Sequence, residues 1–311
     1  MNINAHNALL ERLLPQAEKP ARYIGGEWNA VVKDTDTASL RICLAFPDLY
    51  ELGLGNLGLQ ILYAILNDMD GVWAERAYLP APDMASNMCN YGLPLYMLES
   101  KTPVAQADGV GFTLQSELTY VNILKMLELS GIPLRSSDRD DAMPLVFAGG
   151  PGAYNPEPLS PFMDFFVVGD GEEAIKEIAE TMMRHKGAGR QKRLAALADI
   201  PGVYVPALHP ADTARVQARF VASLDAAPYP KRIITPYTQL IHDGVGVEVL
   251  RGCTHGCRFC QAGMITRPVR ERSIETILNL LDHTLTDSGL DDATLLSLST
   301  CDYSRVRGLL R

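Results

Sequence analysis

GVGVEVLRGCTHGCRFCQAG, residues 244–263, divides into an apolar half and a cysteine-rich half. Gly244 to Leu250 has the composition of a short buried strand. It delivers the chain directly into Cys253, Cys257 and Cys260, spaced C-x3-C-x2-C. Three thiolates this close together can hold three corners of a cubic iron–sulfur cluster. The fourth iron then keeps an open position, which an ordinary electron-transfer cluster closes with a fourth cysteine. Downstream, Ser273 to Ser288 reads as an amphipathic helix, with Ile274, Ile277, Leu278, Leu281 and Leu285 on one side and Gly289 as its stop. ATLLSLS (Ala293 to Ser299) is the next strand.

Upstream, residues 40 to 185 alternate between strand and helix signals. LRICLAF (Leu40 to Phe46) opens the series, and strand-like runs recur at Val72–Leu79, Leu93–Leu98, Gly109–Leu114, Leu145–Ala148 and Phe165–Val168. Helical spacing appears at Leu57, Ile61, Leu62, Ile65, Leu66 and Met69, over Ser116–Leu129 with Gly131 as its stop, and from Glu172 onward. Such alternation predicts a parallel sheet covered by helices on both faces, with its ligands at the carboxyl ends of the strands. Gly-rich turns stand at those ends: GLGNLG (Gly53 to Gly58), GGPG (Gly149 to Gly152) and GDGEE (Gly169 to Glu173). GLGNLG comes nearest a dinucleotide fingerprint. However, it lies well past the last apolar residue of the strand and follows Asp48 and Glu51, so a loop closing onto a helix N-terminus is the favoured reading over a dinucleotide oxidoreductase.

The chain has 311 residues, which makes two domains the expectation. Hydrophobic residues at 47% and charged residues at 21% read as a globular protein. A formal net charge of −9 argues against nucleic acid binding by the chain as a whole. No apolar run approaches the roughly 18 residues of a membrane span. The start, MNINAHNALLERLLPQ, lacks the basic-then-apolar pattern of a secretory signal. Six sparse cysteines, three of them clustered, suit a reducing cytoplasm, where thiols bind metals more often than they form disulfides. Cys43 and Cys89 lie in apolar stretches and read as buried hydrophobes.

Zinc is the bland alternative for the cysteine run. It takes four ligands, usually as two close pairs. His255 shares the short loop and would strain a tetrahedral cage, which leaves Cys301 as the candidate fourth ligand. Arg251, Arg258, Arg267, Arg270 and Arg272 surround the motif against the single acid Glu271, an arrangement expected to favour thiolates and to balance a negatively charged cluster.

The C-x3-C-x2-C spacing, Phe259 before the last cysteine and the preceding buried strand resemble the radical SAM superfamily. NPEPL (Asn155 to Leu159), DFFVVGDGEE (Asp164 to Glu173) and the GGPG turn resemble the cobalamin-binding-like domain that precedes the barrel in one group of these proteins. The resemblance implies that Cys253, Cys257 and Cys260 hold a 4Fe-4S cluster and that S-adenosylmethionine chelates its open iron. Reduction, by a donor such as flavodoxin or ferredoxin, would then yield methionine and a 5′-deoxyadenosyl radical for chemistry on an unknown substrate. It further implies that Phe259 lies near the adenine and that Ser299, Thr300 and Asp302, a loose match to the second-strand motif, contact the methionyl amine. Cobalamin by its histidine-ligated mode is not expected, because the chain has no histidine between His6 and His185; base-off binding without a protein ligand stays open.

The resulting expectation is an α/β chain. A doubly wound, Rossmann-like and cobalamin-binding-like parallel sheet is followed by the first βα units of an incomplete radical SAM (β/α) barrel. Its divisions are an N-terminal extension (1–37), the cobalamin-binding-like domain (38–186), a connector (187–240) that includes a strand-like VQARFVASL, and a partial radical SAM domain (241–311). A full barrel takes about 200 residues or more. The 71 residues from 241 supply two βα units at most, so the chain is expected to be a fragment, or half of a split enzyme whose partner protein carries the remaining barrel. The rival from another class is a non-catalytic cluster-containing binding module.

Overall fold

The apolar runs of the first half become one sheet. The computed structural model describes residues 3–209, 215–241 and 244–311; residues 210–214 of the predicted connector lie outside these. Among the described residues the strands are β1 (Leu40–Phe46), β2 (Val72–Tyr78), β3 (Gly109–Thr113), β4 (Leu145–Gly149), β5 (Phe165–Val167) and β6 (Val203–Tyr204). Their order is β2-β1-β3-β4-β5-β6, parallel except for the antiparallel β5–β6 pair. Every residue of β2, and all of β1 except Arg41, is buried. Burial on both faces is why these strands read as mainly apolar runs rather than as alternating ones, although β2 also buries Glu75 and Arg76. Phe147 and Phe165 stack across β4 and β5 at 4.7 Å, a contact worth about 0.5–1.5 kcal/mol beyond its area.

The helices that cover the sheet are α1 (Ile3–Leu13), α2 (Tyr50–Gly53), α3 (Leu57–Asn67), α4 (Pro82–Tyr91), α5 (Tyr120–Ser130), α6 (Gly171–Arg184) and α7 (Arg190–Ala198). α3 packs on α6, and α4 on α5, so the sheet is doubly wound as expected. Gly131 ends α5 in the left-handed conformation. Between β4 and β5 the connection is two 3-10 turns, Pro151–Tyr154 and Glu157–Leu159, rather than an α-helix. Asp164 anchors this region from within: it accepts hydrogen bonds from the Val146 amide, Arg139 and Arg190, which ties α7 to the sheet.

Two predicted strands are not strands. Leu93–Leu98 makes a single bridge, Tyr96 to Pro103. Its Leu98 amide bonds the Arg76 carbonyl, and the Glu99 side chain takes the Arg76 amide. Asn67 satisfies Ala74 in both directions. These groups blunt the free edge of β2, which would otherwise expose a row of unpaired donors and acceptors. VQARFVASL is likewise no ladder. Arg219 bridges Gly169 once, and the stretch lies along the turn that follows β5. The N-terminal segment contributes Leu10, Leu13, Ala17 and Tyr23 to the main core. It also supplies Glu27, which pairs with the buried Arg76.

The second unit contains β7 (Val245–Glu248), β8 (Leu250–Arg251), α8 (Ala262–Ile265), β9 (Arg270–Glu271), α9 (Ile274–Ser288), β10 (Ala293–Leu296) and α10 (Val306–Leu309). β7 and β10 pair in parallel, with α9 as their crossover. Ser273 caps α9 by accepting from the Thr276 amide, and Gly289 stops it in the left-handed conformation. Within the predicted apolar face Ile277 is buried, but Leu278 is 51% exposed; Leu280 packs inward in its stead. The N-terminal segment braces this unit: Trp28 Nε1 donates to the Asp287 carbonyl at 3.2 Å, and Asn29 to the Asp287 carboxylate at 2.6 Å. No helix of the described residues is long and apolar enough to cross a membrane.

Candidate functional site

A parallel sheet leaves its ligand crevice outside the carboxyl ends of its strands, at the point where strand order reverses. In this order the reversal lies between β1 and β3, and a cavity of about 450 Å³ opens there. That volume lies within the roughly 300–1,000 Å³ of small-molecule sites. The three Gly-rich turns singled out in the sequence converge on it, through Asn56 to Gly58, Gly149 to Pro151, and Gly169 to Glu172. Its floor is apolar, including Leu44, Leu62, Phe112, Phe147 and Ile175. Polar groups, among them Thr113, Gln115 and Tyr154, sit among these. A second space of about 380 Å³ adjoins it, lined by Glu51 and Gln115 and sharing Asn56 and Leu57.

Each turn has a local cause. In GLGNLG, Asn56 caps α3 by accepting from the Leu59 amide at 2.9 Å, so the run is a helix start, as the favoured reading had it. In GGPG, Gly150 has φ +108, and a Cβ there would meet the Leu114 carbonyl at 2.9 Å. In GDGEE, Gly169 has φ +104, and a Cβ would come 2.1 Å from the Arg219 carbonyl. Only glycine tolerates both the conformation and the approach.

The far wall belongs to the second unit. Glu248, Leu250, Arg251 and Gly252 line the cavity, as do Thr266, Leu296 and Ser297. The carboxyl ends of β7 and β10 therefore face those of the first sheet across one space. The cysteine loop leaves this wall at Gly252 and returns at β9, so its two limbs hang from the β8–β9 pair.

Cys253 and Cys260 are half-buried, Cys257 is exposed, and all three are free thiols. Cys301 is free and exposed. Among the described residues, no three His, Cys, Asp or Glu side chains are gathered to hold a metal. Neither a closed zinc cage with Cys301 nor a ready cluster geometry is therefore present. The donor set still suits an iron–sulfur cluster with one open iron: three unpaired thiols within eight residues on one loop.

Phe259 is 93% exposed on this loop. Ser299, Thr300 and Asp302 lie just past β10, and Asp302 reaches the cysteine loop: His255 Nε2 is 2.6 Å from its carboxylate, and Ser299 Oγ donates to it at 2.6 Å. These two hydrogen bonds, Ser299 first, hold the Asp302 carboxyl below its ordinary value. Thr300 pairs with Ser297 at 2.8 Å.

The arginines depart from expectation. Arg251 bonds Glu248, Glu172 and Asp170; Arg270 bonds Asp170 and the Val221 carbonyl; Arg272 is buried against the Glu248 and Leu224 carbonyls. Their charge is spent on carboxylates and carbonyls, not on thiols. Arg258 and Arg267 remain as exposed cations on the loop. Sequence reasoning missed these ion pairs, although GDGEE carried a signal for them: three carboxylates at a strand end, of which Asp170 and Glu172 take the arginines.

Residues 58–206 match the family described as radical SAM proteins, N-terminal. The uncharacterized protein MJ0966 of Methanocaldococcus jannaschii is 26% identical over 227 residues, covering 72% of this chain and 46% of its own length. Two structures of TsrM from Kitasatospora setae, a radical S-adenosylmethionine methyltransferase, share the fold at 15% identity, each covering 87% of this chain and 50% of theirs. One has cobalamin and a 4Fe-4S cluster bound, with a TM-score of 0.55; the other has tryptophan substrate and a SAM analogue, with a TM-score of 0.53. The chain thus spans about half the length of the relatives it matches.

Proposed function

We propose that this chain, a relative of the radical SAM superfamily in a cobalamin-binding-like context, carries the cluster loop and the cofactor cavity of a radical SAM enzyme. The observation that carries the reading is the meeting of two features. A loop with three free thiols hangs from the same wall that closes the crevice of a doubly wound sheet.

Cys253, Cys257 and Cys260 would hold a 4Fe-4S cluster, and S-adenosylmethionine would take its open iron. When bound, the cluster supplies one electron for reductive cleavage of S-adenosylmethionine, drawn from a donor such as flavodoxin or ferredoxin. The chain's own residues bind and orient. Asp302, kept ionised by Ser299 and His255, offers a carboxylate beside the cysteine loop for a cationic group such as an amine. The Phe259 backbone would approach the adenine. The apolar floor under Phe112 and Phe147 suits a large flat ligand and excludes water from its underside. Among the described residues no histidine lines this cavity, so a corrinoid there would be held by its apolar floor and Gly-rich turns and not by a histidine ligand.

Anaerobic reconstitution with iron and sulfide tests the reading. The expected result is a broad visible shoulder and a reduced-state paramagnetic signal, both lost when the three cysteines are changed to alanine. Zinc without iron or sulfide in the metal assay would overturn it. With strong reductant, consumption of S-adenosylmethionine separates an active enzyme from a binding module. Adding a separately expressed barrel protein that restores turnover would identify a split enzyme.

A further inference from the structure

We propose that Arg251 is a positioning residue for the cysteine loop, held by Asp170 and Glu172 of the first sheet's ligand-binding turn, so that this turn sets where the three thiols lie. The inference deepens the cluster reading above and rests on it for the purpose of the loop, though not for the clasp itself.

The loop from Gly252 to Val269 is suspended from very little backbone. β8 and β9 share two residue pairs, Leu250 with Glu271 and Arg251 with Arg270. A ladder that short does not persist alone in water. Besides the packing of α8 on the Pro151–Tyr154 turn, what holds it is side-chain chemistry directed at the turn after β5. The two arginines of the second pair both reach Asp170, Arg251 Nη1 at 3.0 Å and Arg270 through its own Nη1. Arg251 continues to Glu172 at 2.7 Å and to Glu248 at 2.8 Å, so one guanidinium joins three carboxylates from both units. A planar fork with five donors can do this; a lysine ammonium cannot span the same acceptors. Asp170 is itself oriented by the Val221 amide at 2.8 Å.

The coupling to the thiols is short. Gly252 follows Arg251 with φ +92, and a Cβ there would meet the Thr266 carbonyl at 2.8 Å and the Pro268 carbonyl at 3.1 Å. The outgoing limb thus packs on the returning limb one residue before Cys253. Gly169 to Glu172 and Arg251 to Gly252 also line the cavity together. A ligand seated there touches both halves of the clasp.

The test uses the full chain with R251K, D170N and the pair D170N/E172Q. R251K keeps the charge, and D170N keeps an acceptor, so the fold survives where alanine would leave buried carboxylates bare. Amide hydrogen exchange is read without iron, over peptides within 252–269 and within 40–149. The expected result is exchange about tenfold or more faster in the loop peptides, with the sheet peptides unchanged, because local opening is governed by local contacts. After anaerobic reconstitution, the same variants should show less iron per chain and an altered spectrum of the reduced cluster. Loop exchange equal to that of the unaltered protein would overturn the proposal, and so would equal acceleration in loop and sheet, which marks general destabilisation. If the unaltered protein itself takes up no iron, the cluster reading fails while the exchange result still decides the clasp.

Discussion

Replacing Arg76 by methionine tests how the first unit holds its edge. Arg76 is 1% exposed on β2. Its Nη2 meets Glu27 at 2.7 Å, its Nε meets Glu99 at 2.6 Å, and Glu99 also takes the Arg76 amide. Both carboxylate side chains are fully buried. Methionine fills much of the volume but leaves two buried carboxylates without their cation, a loss of about 3–5 kcal/mol. At about 2–4 °C per kcal/mol for a unit of this size, the melting temperature should fall by roughly 6–20 °C.

The deficit has a pH signature. In the unaltered protein, burial pushes the Glu27 carboxyl up, but Arg76 outweighs it and holds the group below its ordinary value of 4.5. Glu27 therefore adds stability above that value, which is lost as the pH falls through the lower folded value. Glu99 runs the other way. Burial raises it against the pull of Arg76, so its ionised form costs stability above 4.5, and acid relieves that cost. Without Arg76 both carboxyls are raised, and protonation relieves both. The gap between the two proteins, read from urea unfolding by circular dichroism at pH 7 and near pH 4, should narrow on acidification. A deficit below about 1 kcal/mol at pH 7, or one equal at both pH values, would refute the reasoning. The apolar triple E27L/R76M/E99L should recover most of the loss.

Ser273→Ala removes the cap of α9 and should cost about 1 kcal/mol, read from the thermal midpoint. Ile277→Ala should cost about 2–5 kcal/mol, whereas Leu278→Ser should stay within about 0.5 kcal/mol because that side chain is exposed; comparable losses would restore the face expected from sequence. Gly169→Ala forces a Cβ against the Arg219 carbonyl at positive φ and should lower stability by more than about 1 kcal/mol, seen as an earlier unfolding transition. Leu62→Trp narrows the cavity floor; under the proposed reading of that cavity as a corrinoid-sized site, it should weaken hydroxocobalamin uptake about tenfold or more by absorbance titration, with the far-ultraviolet spectrum unchanged, and no uptake by the unaltered protein would remove the corrinoid from that reading.

What the chain reveals when read as a string is whatever depends on near neighbours. LRICLAF and the other mainly apolar runs announced parallel strands, because a strand covered on both faces has few polar residues to alternate with. Ser273 and Gly289 bounded α9 through local hydrogen bonding and backbone conformation. The spacing of the three cysteines is the ground on which the cluster is proposed. Tertiary structure decided the rest. Leu93–Leu98 has strand composition, yet a position beside Arg76 made it a cover for the β2 edge. Helical periodicity could not separate Leu278 from Leu280, because which side of α9 meets β7 depends on a crossover angle that no local pattern encodes. The arginines around the thiols looked like their counter-charge. Carboxylates some eighty to one hundred residues earlier in the chain captured Arg251 and Arg270 instead. Ion pairing acts through space at a few ångströms, and only the folded chain determines which charges come that close.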